Sequence, residues 1–218
     1  MKSELVWDWP IRVSHWLMAL LFTGLIITGN EGGDWFKYHF YMGYSLSALI
    51  LARVLYGIWG SHYARFGQFV RSPKVVFSYV KGLLTGHHEH YAGHNPIGAL
   101  MVVVLFLGLS LQWLTGLFTS DQIFWFGPFN GYASDDWLDR ISTIHHTLPN
   151  ILLALVALHI LAVLFHEIHL KERLFLAMLH GKKKGLTGPV QVQTPRLGIV
   201  LSLVIGLAWL AVLWMMPI

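Results

Sequence analysis

HHTLPNILLALVALH, residues 145–159, carries two histidines at its head and one at its tail, with mostly apolar residues between them. The apolar run demands a nonpolar environment, whereas an ionisable ring inside such a segment is costly and marks a functional candidate. The rest of the chain shows which environment this is. Of 218 residues, 55% are hydrophobic and 12% charged, and the mean hydropathy is +0.56. That balance is too apolar for a domain whose surface faces water. Ten tryptophans fit the aromatic belts of a bilayer protein.

Five segments approach the roughly 20 apolar residues needed to cross a hydrocarbon core. They lie near 11–29, 40–59, 97–118, 143–166 and 197–217. The first reads as a span and not as a signal peptide, because no A-x-A-like cleavage site follows it before Thr28-Gly29-Asn30. The connections near 60–96 and 167–196 are too short for folded domains. The fold class is therefore all-α, an integral membrane helical bundle in contact with lipid.

Thirteen of the fifteen lysines and arginines fall on one side: Lys2, Arg12, Arg53, Arg65, Arg71, Lys74, Lys81, Lys171, Arg173, Lys182, Lys183, Lys184 and Arg196. The other side has Lys37 and Arg140 among Glu31, Asp34, Asp121, Asp135, Asp136 and Asp139. The positive-inside rule puts the N-terminus in the cytoplasm, and an odd number of spans puts Ile218 outside. These charges border spans and form no single stripe, so the basic pI of 9.4 reflects topology and not nucleic-acid binding. PKVVFSYVKGLL at 73–84 reads as a helix lying in the cytoplasmic interface. ERLFLAMLHGKKK at 172–184 reads either that way or as a soluble loop.

Cysteine is absent, which excludes disulfides, iron–sulfur clusters and covalent c-type haem. Thirteen histidines remain as metal ligands. His15 lies near the cytoplasmic start of the first span, His39 and His145 near the outer starts of the second and fourth, and His159 deeper toward the cytoplasm. One such residue is explained by a hydrogen bond to a neighbouring helix. Four residues sorted into two depths ask for more. Fourteen residues turn a helix roughly 40° short of four turns and advance it about 21 Å, so His145 and His159 share a face at two levels. His146 is about 140° away from His159, yet Pro149 distorts the helix and leaves His146 open as the alternative.

Two imidazoles at each of two depths suit the axial ligation of two b-type haems. Zinc or copper would want three or four ligands at one depth. Gly24, Gly43, Gly108 and Gly116 lie inside spans, where they admit either a porphyrin or a closely packed helix, and Gly43 follows His39 on one face. Arg12, with Arg140 or Lys37 on the outer side, is a candidate partner for haem propionates. HHEHYAGH at 87–94 reads as a solvated loop, with metal binding or proton shuttling to a quinone as the alternative. His166 and His169 end the fourth span as interfacial residues, on the side where a quinone would meet the inner pair. Asn95-Pro96 reads as a helix N-cap with proline at the first helical position.

The order RVSHW, H-x-x-x-G, GHNP and H-x13-H resembles the diheme b-type cytochromes, over about residues 5–185. That family includes the cytochrome b subunits of nickel–iron hydrogenases, the gamma subunit of formate dehydrogenase and bacterial cytochrome b561. VWDWPIRVSHW, GHNPIGALMVVVLF and TGLF are most similar to the hydrogenase branch. The resemblance implies His15 with His159 on an inner haem, His39 with His145 on an outer haem, and electron exchange with the quinone pool. It divides the chain into a four-helix haem-binding core at 1–185 and an additional C-terminal helix at 186–218, where many relatives stop after four. The expected partner is a periplasmic or membrane-associated redox protein, either a hydrogenase-like subunit or a c-type cytochrome. The alternative is an enzyme of the cytochrome b561 type that oxidises superoxide and reduces quinone. The acidic outer loops favour a protein partner over a small anion.

Overall fold

In the computed structural model, residues 3–31, 35–87, 90–121, 123, 125–184 and 192–216 are described. Lys2, Asp34, His88, Glu89, Ile218 and the expected boundary at 185/186 lie outside them. Five helices are long and apolar enough to cross a membrane: α1 (Trp9–Glu31), α2 (Phe36–Trp59), α5 (Pro96–Gly116), α6 (Asp135–Ile168) and α8 (Arg196–Trp214). The chain is a multi-pass membrane protein. Shorter helices α3 (Phe66–Phe69) and α4 (Pro73–Leu84) join α2 to α5, and α7 (Leu174–His180) follows α6.

The 34 residues of α6 extend about 51 Å, far beyond a hydrocarbon core of about 30 Å. Its start lies at Asp135, well before the expected 143, because Asp135 and Asp136 in the first turn suit a helix N-terminus that stands in water. α5 begins where the Asn95 side chain accepts from the Gly98 N–H at 2.7 Å, with Pro96 at the first helical position.

α2 is the central helix and packs against α1, α5 and α8. The fifth span seats itself on α2 through small residues one turn apart, Gly198, Ser202 and Gly206. A Cβ on Gly206 would come within 2.9 Å of the Ala48 carbonyl. Tryptophan N–H groups close the seam at both ends, Trp59 to the Gly198 carbonyl at 2.9 Å and Trp209 to Ser47 Oγ at 2.9 Å. Between helices in lipid, van der Waals packing and such hydrogen bonds supply the attraction that the hydrophobic effect supplies in water.

Residues 172–184 divide where an interfacial helix or loop was expected. Helix α7 covers only Leu174–His180, and Lys182–Lys184 then forms strand β2, antiparallel to β1 (Ser3–Leu5) with Glu4 opposite Lys183. Gly181 makes the turn at φ +83°, and a Cβ there would strike the Trp7 carbonyl. Its own carbonyl accepts from the N–H groups of Val6 and Trp7 at 2.8 and 3.0 Å. The ladder thus clamps the entry of α1 to the segment after α6.

The α2–α8 seam can be tested. Gly206→Leu should lower stability by about 1–3 kcal/mol through overpacking against Ala48, read as a lower Tm in detergent. Gly67→Ala, where an added Cβ meets nothing within 4 Å, should leave Tm unchanged.

Candidate functional site

His39 of α2 and His145 of α6 face each other with ring centroids 6.3 Å apart and ring planes at 86°. His15 of α1 and His159 of α6 do the same at 6.4 Å and 52°. The two pairs are those anticipated from depth and helix phase. An ion held collinearly between two imidazole nitrogens at about 2 Å from each would set the ring centres about 6.3 Å apart. Both gaps have the width that a metal held between two histidines would need. Among the described residues, no group of three His, Asp or Glu is placed to hold a metal ion.

Hydrogen bonds orient the His39 and His145 rings. His39 Nδ1 lies 3.1 Å from the Leu25 carbonyl, and His145 Nδ1 lies 3.1 Å from the Gln112 carbonyl. A carbonyl only accepts, so each Nδ1 carries the proton and each Nε2 keeps its lone pair for a metal. Glycines seat the same rings: a Cβ on Gly29 would fall 3.0 Å from His39 Cε1, and one on Gly116 would fall 2.8 Å from His145 Cε1. Gly43 is more open, with its nearest contact the Leu25 side chain at 3.9 Å. It lines, with His39, His145, Gly29, Gly116 and Gln112, a cavity of about 260 Å³.

Pro149 has no N–H to give the His145 carbonyl, four residues earlier in α6. Gln112 Nε2 donates to that carbonyl at 3.0 Å and lies against the His145 ring. One side chain on α5 therefore repairs the gap made by proline and steadies the imidazole beside it. His146 is exposed, at the margin of the cavity, with its ring 5.9 Å from that of His145. It is not the ring that faces His39.

Below the inner pair, on the side carrying the basic residues, polar groups are buried. Arg53 is 6% exposed and lies over the rings of Phe66 and Phe106. Asp8 is 1% exposed and accepts from the Tyr56 hydroxyl. Arg12 Nη1 donates to the Leu179 carbonyl at 2.6 Å. Arg12 Nε, Arg53 Nη1, His15 Nδ1 and His94 Nδ1 are buried without a partner among the described residues. Toward the His39–His145 end, Lys37 lies over the Tyr38 ring and Arg140 is exposed.

His94 ends a stretch whose composition reads as a solvated loop, but it packs between Trp7 and Phe69 at centroid distances of 4.7 and 4.5 Å. Burial first, then the positive charges of Arg53 and Lys183, hold its pKa down to about 3. Its proximity to Pro96, where α5 enters the bundle, was the available sequence signal.

The sequence pattern of the family described as "Prokaryotic cytochrome b561" matches residues 6–181. The chain belongs to the prokaryotic cytochrome b561 family. Among its relatives, the probable Ni/Fe-hydrogenase B-type cytochrome subunit of Rhodobacter capsulatus is 25% identical, covering 83% of this chain and 81% of the relative. The protein of the same description from Bradyrhizobium diazoefficiens is 24% identical over 82% of this chain and 85% of its own length. That of Azotobacter vinelandii is 26% identical over 81% and 86%. No solved structure matches this cytochrome b561 family member.

The repair at Pro149 predicts a non-additive pair. Gln112→Ala should cost about 1–3 kcal/mol by leaving the His145 carbonyl unsatisfied. In a Pro149→Ala background, where a restored backbone N–H takes that carbonyl, the same substitution should cost less, measured by thermal unfolding of all four proteins.

Proposed function

We propose that this chain is a diheme cytochrome b that carries electrons between the quinone pool and a redox protein on the outer side of a bacterial inner membrane. The observation that carries this reading is the two facing imidazole pairs, at 6.3 and 6.4 Å, on opposite halves of one bundle. His39 and His145 would hold an outer haem b, and His15 and His159 an inner one. Each haem, when bound, supplies a one-electron Fe(III)/Fe(II) couple whose potential is set by ligation, burial and hydrogen bonding.

The chain's own residues do the rest. Leu25 and Gln112 carbonyls fix the outer ring tautomers, Gly29 and Gly116 let the rings lie against the backbone, and Gly43 leaves room beside them. Arg12, Arg53 and His94 have buried nitrogens without partners among the described residues, which suits them to the propionate carboxylates of the inner haem. Lys37 and Arg140 are the outer candidates. Residues 1–185 form the haem-binding unit in this reading, and 186–218 add a helix that braces α2.

The names of the relatives make a nickel–iron hydrogenase the favoured external partner. The exposed acidic residues Asp135, Asp136 and Asp139 on the outer side agree with a protein having a basic docking face and disfavour a superoxide substrate. The basic residues that flank the opposite ends of the spans support a cytoplasmic N-terminus and a periplasmic C-terminus.

Pyridine hemochrome analysis should give two protohaems per chain, extractable with acidified organic solvent. His159→Ala should retain only the outer haem, His39→Ala only the inner one, and His146→Ala both. A second readout is electron paramagnetic resonance: the outer pair, with nearly perpendicular rings, should give the more anisotropic low-spin signal. One haem per fully loaded chain, or loss of a haem in His146→Ala with retention in His145→Ala, would overturn the assignment.

A further inference from the structure

The fourth span does not end its chemistry at His159. His166 follows seven residues later, about 20° short of two turns and about 10.5 Å nearer the cytoplasmic face. It is one of the few buried residues of α6. Its Nδ1 lies 2.8 Å from Glu172 Oε2, and Glu172 Oε1 lies 3.1 Å from His90 Nδ1. Exposure falls steeply along this chain: the side chains of His90, Glu172 and His166 are 66%, 11% and 6% exposed. Three titratable groups therefore connect water to the interior on the side of the inner histidine pair.

Local backbone geometry builds the connection. Lys171 and Arg173 both adopt left-handed conformations, at φ 56° and 50°, which are uncommon for residues with a side chain. They turn the chain back after α6 so that the Glu172 N–H donates to the His166 carbonyl at 3.1 Å while its carboxylate meets the His166 ring. At the other end of the ring, Nε2 lies 3.4 Å from Asn95 Nδ2. Asn95 Oδ1 is occupied by the Gly98 N–H, so the amide nitrogen is the group that faces His166. His166 Nδ1 thus donates to Glu172, and Nε2 faces the Asn95 amide as an acceptor.

Lys183 and Tyr79 face the carboxylate from β2 and α4. Burial acting alone would raise the Glu172 pKa, but the His166 hydrogen bond and charge, Lys183 and the His90 hydrogen bond together hold it below the usual value. Burial lowers the Lys183 ammonium to about 8, and burial followed by the Glu172 charge raises Tyr79 to about 12.

The geometry points to His90, Glu172 and His166 as a proton relay that joins the cytoplasmic surface to a quinone exchanging electrons near the inner histidine pair. This rests on the quinone reading above. Reduction of a quinone to a quinol takes two electrons, delivered from the outer redox partner through the two haem sites, and two protons. Each quinone oxygen gains one O–H bond as its C=O bond becomes C–O. The protons come from cytoplasmic water by hops from His90 to Glu172 to His166, with the imidazole turning between hops. Glu172 and His166 are proton carriers here, and the left-handed turn at 171–173 holds them in register.

Stopped-flow oxidation of the pre-reduced holoprotein tests this with two acceptors: a short-chain ubiquinone, which needs protons, and ferricyanide, which does not. Glu172→Gln and His166→Gln should slow the quinone reaction by about 10²-fold or more, with unchanged ferricyanide rates, haem content and visible spectra. Glu172→Asp should recover part of the rate. His90→Ala, at an exposed position, should slow it less and be rescued by added imidazole. Unaltered quinone rates in Glu172→Gln, or equal slowing with both acceptors, would overturn the relay. Wild-type protein that reacts with ferricyanide but not with any quinone would overturn the quinone reading itself.

Discussion

Two imidazoles must approach each other across a gap between helices, and most of the bundle is arranged to hold that gap open at one width. α6 supplies one ring to each pair, while α1 and α2 supply the others. Between apolar helices nothing would keep such rings apart or aligned. The alignment comes from backbone carbonyls at Leu25 and Gln112 and from glycines at 29 and 116 that leave each ring a place to lie. α8 acts from the opposite side of α2, where the Gly198–Ser202–Gly206 face limits how far α2 can shift. The outer site is therefore a property of five helices even though two of them carry its histidines.

The polar content of the bundle follows its depth. At the outer level, hydrogen bonds are short-range repairs such as Gln112 on the carbonyl orphaned by Pro149. Toward the basic side Asp8, Arg53 and His166 are buried, and Arg12 and His94 carry buried nitrogens without a partner among the described residues. Burial of charges without full pairing is expensive. Its concentration beneath one histidine pair distinguishes that end of the bundle from the other, where the hydrogen bonds described align rings.

Much of this was legible in the sequence for a simple reason: length and apolarity fix spans, and a histidine in an apolar run stands out against them. The same pattern placed His15, His39, His145 and His159 in pairs, because helix pitch converts residue spacing into depth and face. It did not find Gly29 or Gln112, whose roles depend on which foreign side chain comes to rest against them. His94 sits in a histidine-rich loop whose composition suggests water, yet Trp7 and Phe69 close over it. The run Lys182–Lys184 reads as a charged flank, and only its partner strand in the first residues of the chain makes it a ladder. The start of α6 escapes the hydropathy pattern because its first turns are too polar to register as part of a span.

That ladder also imposes an order of assembly. Residues 3–5 are made well before 182–184 and find their partner only when these follow, after α6. His15 likewise waits for His159, and His39 for His145. During synthesis the early hairpin of α1 and α2 exposes two unmatched imidazoles inside the bilayer, and neither pair exists until the fourth span arrives. Closure of the strand clasp then seals the amino-terminal end over the inner pair. Any group held between either pair can therefore gain its second histidine only after α6 has been made.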